Sequence, residues 1–161
     1  MTTEHGAAER RAEMRAIERA EALPYTTIPP SRPWEPFLFA GFVTLVILGV
    51  ILSRHEGLIW ALLIDAVAII GLNVYLRYRI RLNKSMPNAA AAPPEIKRAY
   101  NKFGLWLIVI LLAGIVGLPF APLPWPWFGL VLVFLAVLPL YRVYDKRWYA
   151  DAVRDLEARL A

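Results

Sequence analysis

FLFAGFVTLVILGVILS, residues 37–53, carries no charge, and Thr44 is the sole polar side chain in its interior. Three comparable stretches follow: GLIWALLIDAVAIIGLNVYL at 57–76, FGLWLIVILLAGIVGLPFA at 103–121 and WPWFGLVLVFLAVLPLY at 125–141. Their lengths are 17, 20, 19 and 17 residues. A hydrocarbon layer about 30 Å thick takes roughly 20 helical residues, within a range of about 17–25. Backbone polar groups in lipid must be satisfied within the segment, so each stretch predicts a transmembrane helix. None alternates apolar with polar residues as a barrel wall does.

Composition agrees. The 161-residue chain is 58% hydrophobic, whereas a soluble domain is about 45–50% apolar. It has no cysteine, which excludes a disulfide scaffold, thiol catalysis and Cys-bound zinc or iron–sulfur. Two histidines, His5 and His55, are too few for most metal or haem sites. No glycine-rich phosphate loop, nucleophile elbow or metal-ligand spacing occurs, so no cofactor is expected and the chain does not read as an enzyme.

The tripeptides Arg54-His55-Glu56 and Pro122-Leu123-Pro124 are turns. They divide the chain into an arm (1–36), a hairpin (37–76), a basic linker (77–102), a second hairpin (103–141) and a tail (142–161). The arm holds five Lys and Arg, the linker seven and the tail five, with Arg54 alone on the opposite side. Cytoplasmic loops carry the excess of Lys and Arg. Four spans put both termini and the linker on one side, so charge and connectivity together predict that all three are cytoplasmic. The expected object is an all-α polytopic protein of a bacterial cytoplasmic membrane, with four transmembrane helices as two hairpins and cytoplasmic amphipathic helices at both ends. The hydrophilic arm before the first span is the wrong layout for a cleavable signal, so that span is expected to be an uncleaved anchor.

Within the arm, residues 7–23 predict a helix that Pro24 ends. Arg11, Arg15 and Arg19 recur at i, i+4, a stripe suited to anionic lipid or an acidic partner. Interspersed Glu9, Glu13, Glu18 and Glu21 allow a merely solvated helix instead. In the tail, Tyr149, Val153, Leu156 and Leu160 form one helical stripe. Such a stripe should lie on the bilayer surface, the N-terminal helix or a partner. Pro139 is expected to kink the fourth span. The segment Asn83–Ile96, which contains Asn88-Ala-Ala-Ala-Ala-Pro93-Pro94, reads as flexible, with Pro94 in the first turn of the next helix.

Asp65 is the one ionisable side chain well inside a span. An intramembrane acid is a functional hypothesis by default. Thr44 is its expected hydrogen-bond partner, and Asn73 is the third intramembrane polar candidate. The readings are a proton or cation site, a clamp to a partner helix, or a bond that holds one hairpin together. Tyr75, Arg77, Tyr78 and Arg79 form one aromatic–basic run, and Tyr141, Arg142, Tyr144, Arg147 and Trp148 another. Such runs can stack nucleic-acid bases. At the inner ends of spans two and four, however, they read as lipid-interface anchors, with Trp34 at the inner start of span one and Trp125 and Trp127 at the outer side. No nucleic acid is expected. Ala113 and Gly117, with Gly114 beside them, make a small-xxx-small step. Phe37 and Phe103, Tyr75 and Tyr141, and Tyr78 and Tyr144 share a 66-residue offset, which raises the reading of a duplicated hairpin.

Four stretches, Ala12–Ala22, Trp34-Glu35-Pro36, Tyr75–Arg81 and Lys146–Leu160, resemble in layout a loose group of small four-helix integral membrane proteins of bacteria, actinobacterial in type. Members of that group have no assigned activity, so the resemblance transfers no functional residue. The reading is a non-enzymatic accessory or scaffold subunit, which engages a protein partner through its arm and tail or within the bilayer, or assembles as a homo-oligomer. The alternative is a small oligomeric proton- or cation-linked transporter or channel that uses Asp65.

Overall fold

The computed structural model describes residues 2–29, 31–83 and 91–160, with side chains from Arg10 onward except at 11, 12 and 83. These residues form helices throughout: α1 (Thr2–Thr26), α2 (Glu35–His55), α3 (Leu58–Asn83), α4 (Pro94–Gly117), α5 (Trp125–Val143) and α6 (Ala150–Leu160). A 3-10 turn at Leu118–Phe120 follows α4, and a π-helical segment at Tyr144–Tyr149 joins α5 to α6. Four helical runs are long and apolar enough to cross a membrane: Glu35–His55, Leu58–Leu82, Pro94–Phe120 and Trp125–Leu160.

α2 is the centre of the bundle. Ala40, Val43, Ile47 and Ile51 follow one helical stripe and bury against Leu130, Val133 and Val137 of α5. Half-buried Leu107, Ile110, Leu111 and Ile115 of α4 close the same core. Gly114 lets α4 approach, because a Cβ there would lie 2.5 Å from Ile47 Cδ1. The small-residue contact therefore runs through Gly114, while Ala113 and Gly117 are exposed. The step 113–117 lies one residue, roughly 100° of helix rotation, off the contact face.

α3 lies antiparallel along the other side of α2. The turn between them closes at Gly57, whose φ of 103° suits glycine and whose N–H donates to Leu52 O at 3.0 Å. Gly49 faces Asp65, and Phe42 lies 2.7 Å from where a Cβ of Gly71 would sit. Glycine thus stands on both helices where a bulky neighbour crosses.

Several boundaries differ from the sequence expectation. The basic linker is mostly helix, since α3 continues to Asn83 and α4 begins at Pro94. Lys and Arg are good helix formers, so the end of an apolar block marks a change of surroundings rather than the end of a helix. Of the segment 83–96, expected to be flexible, residues 84–90 lie outside the described residues, and Pro94 opens α4 as expected. α1 passes through Pro24 to Thr26, since a proline in the last turn removes one bond only. Thr27 N–H and Oγ1 then close on Leu23 O at 3.1 and 2.8 Å. Pro139 lies within α5, and the departure from α geometry comes later, at Tyr144–Tyr149.

A second, smaller core forms at the end of the bundle where the arm and tail meet. It joins Ala22 and Tyr25 of α1, Ile96 and Ala99 of α4, and Ala152 and Leu156 of α6. The apolar stripe of the tail is therefore covered by its own chain.

Candidate functional site

Glu35 opens α2 and is fully buried. A turn delivers it there: Glu35 N–H donates to Arg32 O at 3.0 Å across Pro33-Trp34. Arg79, eighteen residues beyond Ala61 on the same face of α3, reaches both carboxylate oxygens through Nη1, at 3.2 Å and 3.1 Å. One turn earlier, Tyr75 Oη donates to Glu35 Oε2 at 3.2 Å. The Tyr141 side chain of α5 lies beside Tyr75. The carboxylate sits at the positive end of α2 and the guanidinium near the negative end of α3, so each charge also complements its own helix dipole.

Aromatic rings wall this cluster. Trp34 lies 6.2 Å from Tyr75 and 5.9 Å from Tyr78 between ring centroids, and Arg32 covers the Tyr78 ring at 5.6 Å. On the far side, Phe39 meets Tyr141 at 5.1 Å and Phe103 meets Tyr144 at 4.6 Å. The rings continue through Tyr100 to Tyr149, so one aromatic layer ties α2, α4, α5 and the start of the tail together.

The expected interface anchors therefore divide into two sets. Trp34, Trp125 and Trp127 are exposed, as are Arg77, Arg142 and Arg147, which suits a belt. Tyr75, Tyr78, Arg79, Tyr141, Tyr144 and Trp148 are half-buried; the tyrosines turn into the protein, and Arg79 pairs with Glu35 instead of standing free at the interface. Trp148 carries Lys102 Nζ over its ring at 4.4 Å. Neither aromatic–basic run presents a free stacking platform.

The three intramembrane candidates do not converge. Thr44 Oγ1 donates to Ala40 O at 2.8 Å, its own preceding turn, rather than to Asp65. The register set by Gly49 facing Asp65 puts Thr44 five residues, about 7.5 Å, farther along α2. Asp65 is half-buried with its carboxylate against Gly49, where a Cβ would overlap it. Asn73 is exposed, and its Nδ2 donates to Ile69 O at 2.8 Å.

Comparison with protein families, curated proteins and solved structures finds no match to this chain. The site is therefore judged on its geometry. Arg79 and Tyr75 of α3 bind the buried carboxylate that opens α2, so the cluster links the two helices. Glu35 was missed in the sequence because it lies two residues before the first apolar block. The available signal was a lone acid beside Pro36, with Tyr75 and Arg79 at i, i+4 on a neighbouring helix.

At the second core the arm and tail are latched by polar bonds. Arg19 Nε and Nη2 donate to Leu160 O at 3.1 and 2.7 Å, and Tyr149 Oη donates to Tyr25 O at 2.8 Å. Ser31 Oγ donates to Asp145 Oδ2 at 2.6 Å, and Arg159 pairs with Glu95 at 3.1 Å.

Proposed function

We propose that this chain is a non-enzymatic scaffold or accessory subunit of a bacterial cytoplasmic membrane, with four spans and both termini cytoplasmic. The single observation that carries the reading is the second core. The arm, the first turns of α4 and the tail are built into one helical platform at one end of the bundle, past the apolar stretches 37–53 and 103–141. With the tail stripe covered, the tail contributes support and the arm contributes the contact surface. Met14 and Ile17 are 62% and 58% exposed on α1, with the exposed acids Glu18 and Glu21 one turn along the same face. An apolar pair flanked by carboxylates suits a protein partner that presents apolar and basic side chains.

The transport alternative draws no support from the geometry, since Asp65, Thr44 and Asn73 each keep to a separate local contact. Proton and ion paths need convergent polar groups.

A photo-reactive residue placed at Met14 in the full-length chain, in native membranes, tests the partner. The expected result is a discrete protein adduct that Ile17→Glu abolishes while thermal stability in detergent stays unchanged. Adducts to lipid alone, or none, would overturn the reading.

A further inference from the structure

We propose that two copies of this chain pair through the outer face of α3, with the Asn73 carboxamides hydrogen-bonded to each other. This rests on the four-span reading above. α3 packs along α2 through Ala61, Asp65, Ala68, Tyr75 and Arg79. On the opposite face Ile59, Leu63, Ala66, Ile70, Asn73 and Arg77 follow one another at alternating steps of four and three, the spacing of a two-helix seam. Every one of them is exposed, with Ile59 at 74%, Leu63 at 54% and Ile70 at 63%.

Lipid satisfies the aliphatic members of this seam but not Asn73. Its carboxamide spends one N–H on Ile69 O. One N–H and the carbonyl oxygen remain, a donor and an acceptor on one group. In hydrocarbon that pair needs a partner, and an identical carboxamide supplies both halves reciprocally. Topology selects the same partner. Two copies inserted with the same orientation present their α3 helices in parallel, so a two-fold axis beside Asn73 brings like residues together in register. A single polar residue in an apolar seam fixes such a register. Ala66, two turns away, lets the backbones approach, and Arg77 lies beyond Asn73 at the end of the span, where its long side chain reaches the headgroups.

The chain has no native cysteine, so a single introduced cysteine reports its own face. In the full-length protein in native membranes, Leu63→Cys, Ala66→Cys and Ile70→Cys are expected to give disulfide-linked dimers under mild oxidation. Trp60→Cys and Val67→Cys, equally exposed at 58% and 63% but turned well away from Asn73, are expected to give few. Adding Asn73→Val to Ala66→Cys should weaken the dimer by about 3- to 30-fold, and Asn73→Gln should restore part of it. Dimers independent of position, none at the seam, or no effect of Asn73→Val would overturn the pairing. Alkaline carbonate extraction of the same membranes separates the two readings. A chain that resists extraction but does not cross-link defeats only the pairing, whereas a chain that is extracted defeats the membrane reading itself.

Discussion

Glu35 shows how much one residue decides here. A carboxylate with no solvent exposure is tolerable only with its partners in place. Removing one member of a buried pair costs about 3–5 kcal/mol, because the other charge is left uncompensated, whereas replacing both with neutral side chains costs far less. Arg79→Gln is therefore expected to lower stability in detergent by about 3 kcal/mol or more. Glu35→Gln combined with Arg79→Gln should recover most of that loss. Thermal unfolding of the three proteins checks it, and a double variant as unstable as Arg79→Gln alone would show that the pair is not the fastening. Asp65 is the contrasting case. It met the criterion of an acid inside an apolar block, yet it contacts a glycine and takes part in no hydrogen bond among the described residues. Hydropathy picks out acids by the contrast with an apolar block around them, and Glu35, between Trp34 and Pro36, lies outside the block that starts at Phe37.

At the scale of elements, α6 converts an ambiguous pattern into a defined contact. Tyr149, Val153, Leu156 and Leu160 were legible as a stripe because helical periodicity is local. What they cover was not legible, since three surfaces offer the same apolar chemistry. The π segment at Tyr144–Tyr149 changes the rotation between α5 and α6, and no sequence signal sets that rotation. The spans themselves were readable because length and apolarity suffice for them. Their polar extensions were not, because Tyr75–Arg81 and Pro94–Lys102 obey helix propensity after hydropathy has dropped. Leu156 is fully buried between α1 and α4. Leu156→Ala should cost the second core about 2–4 kcal/mol and loosen the arm while the spans hold. Limited trypsin digestion should then cut α1 at Arg10 and Arg15 much faster than in the parent protein, with far-UV helical signal nearly unchanged. Equal digestion rates would mean that the arm does not depend on the tail.

For the whole molecule, the governing quantity is the distribution of charge between its two ends. Among the described residues Arg54, in the last turn of α2, is the one Lys or Arg at the end of the bundle that carries the two short turns, and its guanidinium covers the Phe120 ring at 4.3 Å. The other described Lys and Arg lie at or beyond the end that holds Glu35, the aromatic layer and the second core. Moving a Lys- or Arg-rich end across a bilayer is disfavoured over moving the short turns. The molecule should thus expose only two tight turns on its outer side and all of its platform inside. Single cysteines in the cysteine-free chain test this directly. Glu56→Cys, in the exposed first turn, should react with an impermeant maleimide in intact spheroplasts. Lys97→Cys and Glu157→Cys, exposed on α4 and α6, should react only after the membrane is opened. Labelling of Lys97→Cys or Glu157→Cys from outside would invert the molecule and move the arm, with Met14 and Ile17, away from any cytoplasmic partner.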